Sequence, residues 1–564
     1  NYAGDNGGMD YSVAVGYGAG RYNGDYSTSV GYYAGYGLYY WTGQNYTTSI
    51  GRNAGANNYN NNAYMNVNVG YQAGNTIRTG DYNTFLGSQS NTQTSSTSLC
   101  VAIGYGAKAN SSSVSIGYGS QDSGNSDSTN MVTVGYNAGY DMDGGDYSIY
   151  VGYRAGFGGG TGDYNIAVGS DALYNIDAGA SNIAIGHEAL NDVTSGSHNT
   201  AIGYQAGATD TTGEYNVFMG YQAGFDPDGN VTTSNYNVGI GALALEDLTN
   251  GSGNVGIGRN ALAHITTGSS NTAIGYLAGD ANTTSGDYNV FIGYAAKNSS
   301  GGSSDNGVAI GRAAQAYNGG VSIGYEAMGG SNNSSIYNVA IGYEAHFDAE
   351  GSDYSVFIGY QAGYEGSSAN GNIGIGYKAL YGTNNLTTGA HNTAVGYSAG
   401  WEIEQGEGNV YMGYKAGYEN RHSDYTVFIG YEADEQTNGL SDYAVAIGYK
   451  AKAGASNVSI GREAGGIAGF GSNSYVTLVG YRAGYKITGD QSTFVGAAAG
   501  RGANATLTGD YNVGVGYKAL YEGTSGQKNT AVGTESLETV STGSSNVAVG
   551  YFAGDSVTTG EFNI

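Results

Sequence analysis

Aliphatic and small or polar residues alternate along a short phrase, x-[Val/Ile/Thr]-x-[aliphatic]-Gly-x-x-[Ala/Ser], that recurs thirty-two times between Gly16 and Gly550. With the glycine as position 0, position −1 is aliphatic and position −3 is Val, Ile or Thr in every copy. Position +3 is Ala in 29 copies and Ser in three, Ser90, Ser120 and Ser536. The commonest spacing between neighbouring glycines is 17 residues, within a range of 13 to 21. Period-two alternation over so few residues predicts a short strand. Thirty-two near-identical strands need as many near-identical environments, which stacked coils supply and a globular core does not. The expected fold is all-β: a parallel β-solenoid (β-roll) of about 32 coils of ~17 residues, forming one continuous domain over 1–564.

Within each coil the pattern predicts a parallel strand at −5 to −1, a tight corner at the glycine and a Gly/Asp/Asn-rich return. The aliphatic pair at −1 and −3 is expected to face the coil interior, with −2 and −4 facing out. Small residues at +3 fit a narrow core, and the glycine fits a turn with little room. At a strand spacing of about 4.8 Å the full stack would run on the order of 150 Å.

Stacked copies imply ladders. Position −4 is Asn in 18 coils and position +1 is Tyr in 22, with Arg52, Arg259, Arg312 and Arg462 among the exceptions at +1. Asparagines hydrogen-bond along such stacks, and guanidinium groups stack on tyrosine rings. Over the first period lies a second. Position −2 carries Phe85, Tyr150, Phe218, Phe291, Phe357, Phe428 and Phe494 in every fourth coil, with Tyr411 and Leu478 outside the rule. The 13-residue spacings, such as Gly448 to Gly461, fall between the second and third coils of that group, which gives eight four-coil modules. An eight-bladed propeller is the rival, but propeller strands run antiparallel and occupy unlike positions in each blade. With −2 outward, its uncharged row of small residues is expected to pack against sister chains, and the seven aromatics are expected to be interface anchors.

Composition adds exclusions. The chain holds 103 Gly, 55 Tyr and a single proline, Pro227. The pair at −3 and −1, Val, Ile or Thr followed by an aliphatic residue, never lapses, which argues against low-complexity disorder. A net charge of −27 disfavours nucleic acid and anionic membrane surfaces. The single cysteine, Cys100, rules out an intrachain disulfide framework and reads as a structural strand residue. No apolar run is long enough to cross a membrane, and no signal peptide opens the chain. The chain starts and stops within coils, the last at Thr559–Ile564, so a longer parent chain is expected.

Candidate chemistry is sparse. Gly396-Tyr-Ser398-Ala-Gly400 satisfies a nucleophile-elbow pattern, and Gly374-x-Gly376-x-x-Ala379 imitates a dinucleotide fingerprint. Both need a following helix that the repeat denies them. The six histidines form no ligand pair, so zinc is not expected. Turn carboxylates Asp81, Asp146, Asp163, Asp287 and Asp510, with Glu214 at the same place, are the calcium candidates. Most recur once per four coils, about 19 Å apart, too far to share an ion. Hydrogen bonding to the residue's own turn is the simpler reading. Glycosylation sequons occur at Asn45, Asn110, Asn230, Asn282, Asn298, Asn332, Asn333, Asn385, Asn457 and Asn504, all but Asn457 outside the strand interior.

The phrase Asn-x-Ala-Ile-Gly-Tyr-x-Ala at Asn199–Ala206 and Asn271–Ala278, with Val101–Ala109 and Val445–Ala453, resembles the head repeats of YadA-like trimeric autotransporter adhesins. It is similar also to repeats of phage tail fibres. The resemblance covers the whole chain and implies a left-handed β-roll, assembled as a homotrimer, in an extracellular attachment fibre on a cell or a virion. The chain departs from that pattern in lacking a heptad stalk and a membrane anchor, and in its longer, tyrosine-rich coils. The functional expectation is a non-enzymatic structural fibre that self-associates as a homotrimer or fibril and serves adhesion. A glycan-binding solenoid, with tyrosines and amides facing sugars, is one alternative. A polysaccharide-cleaving tailspike is another, but it would need two carboxylates in a cleft, and no coil departs from the repeat to build one.

Overall fold

The computed structural model describes the chain outside residues 1–10, 23, 38–44, 57–62, 123–127, 159, 229–232, 281–284, 299–303, 331–335, 349–350, 366–369, 383–388, 419, 436–440, 467–474 and 504. The chain divides into two compact units, Asn1–Tyr288 and Asn289–Ile564. Among the described residues the first unit carries sixteen three-residue strands, from Val13–Val15 to Thr272–Ile274. The second carries another sixteen, from Val290–Ile292 to Val547–Val549. It also has two pairs of two-residue strands, Lys297–Asn298 with Gln315–Ala316 and Asp434–Glu435 with Lys452–Ala453. Within each unit successive strands pair in parallel and in register, as Ile183, Ala184 and Ile185 do with Thr200, Ala201 and Ile202. No helix occurs among the described residues. Parallel coils of one polarity exclude the propeller; the fold is the expected β-solenoid.

The strands are shorter than the pattern predicts. They occupy −3 to −1, because position −5 is left-handed in coil after coil: φ is 61° at Tyr82, 61° at Tyr164 and 56° at Tyr354. A left-handed residue turns the chain and cannot lie in a strand.

The faces are also reversed. Alternation holds, but its phase is the opposite of the expectation: −2 is buried and −3 and −1 look outward. Ala273 is 0% exposed, whereas its neighbour Ile274 is 40% exposed. The alanine at +3 and the asparagine at −4 join −2 inside, as Ala206 and Asn199 show. The cause is the width of the coil. The interior row holds mostly Ala, Ser, Gly and Asn, so Val and Ile at two positions of every coil would overfill it.

The seven −2 aromatics are therefore core residues, not interface anchors. Phe85, Tyr150, Phe218, Phe291, Phe357, Phe428 and Phe494 are all buried, as are Tyr411 and Leu478. Glycines make room for them. The ring of Phe218 lies where side chains at Gly224, in its own coil, and Gly239, in the next, would have to sit. Phe357 with Gly363 and Gly374, and Phe494 with Gly500 and Gly514, repeat the arrangement. Most rings are followed by Gly or Ala in the next coil; Tyr411 is the exception, its register partner being Phe428.

The polar rows tie coil to coil. Oδ1 of Asn182 accepts the backbone N–H of Asn199 at 2.9 Å, and Nδ2 of Asn182 donates to the carbonyl of Gly196 at 2.8 Å. Asn199 does the same with Asn216 and Gly213. The amide side chain thus satisfies backbone groups that the short strands leave over. At position 0 the chain passes so close to the next coil that a Cβ at Gly203 would overlap the carbonyl of Gly220. There φ is 142°, so only glycine serves.

Candidate functional site

Because −3 and −1 look outward, each unit presents a row of half-exposed Val, Ile, Thr, Leu and Met along its strand face. Ile50, Ile185, Ile240 and Ile274 belong to it in the first unit, and Ile375, Met412 and Ile460 in the second. Neither position carries a charge in any coil. The row is flanked by tyrosines on both sides, at −5 and at +1, and these are exposed too. The result is a band several side chains wide, with an uncharged apolar centre at −3 and −1 and largely aromatic flanks that include arginines at +1.

The flanking tyrosines form the expected ladders. At +1, eight consecutive rings from Tyr325 to Tyr449 stack with centroids 4.7–5.2 Å apart and planes within 16°. Where arginine replaces tyrosine it stays in the stack: the guanidinium of Arg52 lies 5.8 Å from the ring centroids of both Tyr32 and Tyr71. A ladder at −5 includes Tyr11, Tyr26 and Tyr46, at 5.2 and 5.0 Å. A further row at +5 runs Phe347, Tyr364, Tyr381, Trp401, Tyr418, with centroids 4.5–5.7 Å apart. Reading single coils conceals the +5 row; aligning the coils on their glycines would have revealed it. Stacking has a functional consequence. Rings inside a ladder spend their faces on one another, so the row offers hydroxyl edges, not open faces, to a sugar.

The turn carboxylates act between coils. Oδ1 of Asp81 accepts the N–H of Tyr64 at 2.6 Å, Oδ1 of Asp146 that of Thr129 at 2.5 Å, and Oδ1 of Asp163 that of Asp146 at 2.8 Å. Asp287 caps Ser269 at 2.6 Å and Asp510 caps Asp490 at 2.8 Å. The expectation of a bond to the residue's own turn is thus corrected: the partner is the equivalent N–H one coil back. Asn45 and Asn235 do the same for Asp25 and Glu214 at 2.8 and 2.7 Å, so the role needs an acceptor and not a charge. No group of three potential metal ligands occurs among the described residues.

Of the sequons, Asn230, Asn282, Asn332, Asn333, Asn385 and Asn504 lie outside the described residues. Asn110 and Asn298 are buried, which contradicts their candidacy. Their amide nitrogens face inward, to Gln93 Oε1 at 3.1 Å and to the Ser304 carbonyl at 3.2 Å. Asn457 is buried in the asparagine row. Cys100 is buried at −4, where its Sγ donates to Asn83 Oδ1 at 2.9 Å. Burial pushes its thiol up to about 12, a structural residue and not a nucleophile. Ser398 is buried in a turn, with no helix after it.

His346 escaped the sequence reading. It is fully buried with neither ring nitrogen hydrogen-bonded among the described residues, and its ring lies 4.7 Å from that of Phe357. Burial pushes its pKa down to about 3. No protein-family model matches the chain, and no curated protein matches it either.

Proposed function

We propose that the chain is a structural fibre segment that associates with copies of itself through the outward −3/−1 face. The single observation that carries this is the uncharged Val/Ile band in each unit. A soluble chain rarely leaves so long an apolar row open to water, and rows of this kind mark association surfaces. Self-association through a repeated face also suits a chain in which successive coils present the same surface. The net charge of −27 then keeps finished assemblies apart. The YadA-like resemblance supports three copies, a left-handed coil, an extracellular location and an attachment role on a cell or virion. In this reading the chain does no chemistry.

Replacing Ile185, Ile240 and Ile274 together by Lys tests the reading. Size exclusion should show the assembly lost or shortened, while far-UV circular dichroism keeps its β signature. An elution volume and a spectrum both unchanged would remove the outward face from the account.

A further inference from the structure

In the second unit the +5 aromatic row stops at Tyr418 and resumes at Tyr485. The three coils between fill that position with Glu435, which is buried, with Ala453, also buried, and with Gly466. With no ring at these three positions, a cleft of about 640 Å³ is lined by Tyr418 and Tyr485 among others, within the size range of small-ligand sites. One of its coils, Gly448 to Gly461, is a 13-residue coil.

The lining is unlike the rest of this acidic chain. Lys415, Lys450, Lys452 and Arg482 line the cleft against Glu432, Asp434 and Glu463, one net positive charge in a molecule of −27. Two of the cations are committed to carboxylates: Lys450 to Glu432 at 3.1 Å and Arg482 to Glu463 at 2.5 Å. The other two make no close ion pair with a carboxylate among the described residues, although Lys415 is near enough to Glu432 to help lower its pKa. The Lys415 ammonium lies 4.5 Å from the Tyr418 ring centroid, and the Lys452 ammonium donates to the Glu435 carbonyl at 3.3 Å. Tyr418 is the last ring of its row, with Trp401 on one side at 5.7 Å and the cleft on the other.

We infer that this cleft binds an acidic oligosaccharide, its carboxylates held by Lys415 and Lys452 and a sugar ring packed beside Tyr418. The alternating Glu–Lys and Glu–Arg pairs present acceptors and donors side by side, which matches a run of sugar hydroxyls. The same three carboxylates repel a dense polyanion such as a polyphosphate. Rows end elsewhere as well, as at Tyr174; here the terminal ring lines a cleft together with lysines, Lys415 lying against it. The inference does not depend on whether copies of the chain associate.

Titration calorimetry of the full chain at low salt tests it, with tetragalacturonic acid as the probe, and cellotetraose and inorganic phosphate as comparisons. Saturable binding of the acidic tetrasaccharide is expected, about tenfold tighter than either comparison and weakened by added salt. Lys415→Gln and Lys452→Gln should each weaken it several-fold, Tyr418→Ala should weaken it about tenfold, and Lys415→Arg should retain it. The variants' circular dichroism reports the fold independently. Absence of saturable binding, equal affinity for cellotetraose, or indifference to both lysine changes in well-folded variants would overturn the assignment.

Discussion

Phe218 and Gly239 are register partners in adjacent coils, and the phenylalanine ring occupies the space a side chain at Gly239 would need. This pairing shows how little room the interior leaves beside a ring. Truncation to Phe218→Ala should leave a cavity and cost about 3–5 kcal/mol. Gly239→Val should cost about 1–3 kcal/mol by overpacking. Urea midpoints measure both. If Gly239→Val were neutral, the ring would have another place to go and the interior would be roomier than this account holds.

Neighbouring positions should respond oppositely to the same change. Ala273→Asp places an unpaired carboxylate inside the coil and should cost several kcal/mol. Ile274→Asp places one on the outer face and should cost the isolated chain under about 1 kcal/mol. Melting at concentrations low enough to keep the chain monomeric separates the two. Equal losses would contradict the orientation of the strands.

The turn carboxylates should be replaceable by amides. Asp81→Asn keeps the acceptor for Tyr64 and should leave the melting temperature unchanged, as Asn45 and Asn235 already show in kind. Asp81→Ala should cost about 1 kcal/mol through the unpaired N–H. Calcium or a chelator should move neither variant nor parent. A calcium-dependent rise in melting temperature that disappears in Asp81→Asn would restore the metal reading.

His346 makes the second unit sensitive to acid. Its folded pKa of about 3 lies below the ordinary 6.5, so the unfolded chain takes up the proton first. The neutral ring's stability is complete above about pH 6.5 and is lost progressively as pH falls toward 3. His346→Leu removes that loss and the two unpaired ring nitrogens. Urea midpoints of parent and variant should therefore diverge between pH 7 and pH 4, the variant being the more stable. Parallel curves would mean that His346 finds a proton-accepting partner.

Much of this was legible in the sequence. The parallel stacking, the asparagine and tyrosine ladders, the stacked arginines and the need for glycine at 0 follow from one repeated phrase. The strand face did not, because hydrophobicity alone places Ile274 inside and Ala273 outside. In a coil this narrow, volume outranks hydrophobicity: the small row goes inside, and the larger β-branched row is left for a surface. The alanine at +3 and the glycines beside Phe218 and Phe357 already carried that information, since each declares how little room the interior has. The cleft at Tyr418 stayed hidden for another reason. It lies where three coils lack a ring at one position, and a missing ring leaves no motif.

Mass in solution tests the central claim most directly. Sedimentation equilibrium of the unmodified chain at micromolar concentration should give a fixed multiple of 57.6 kDa, three being the multiple that the YadA-like resemblance supports. A single species at 57.6 kDa over the same range would mean that the outward Val/Ile face stands open to water, and would contradict the account.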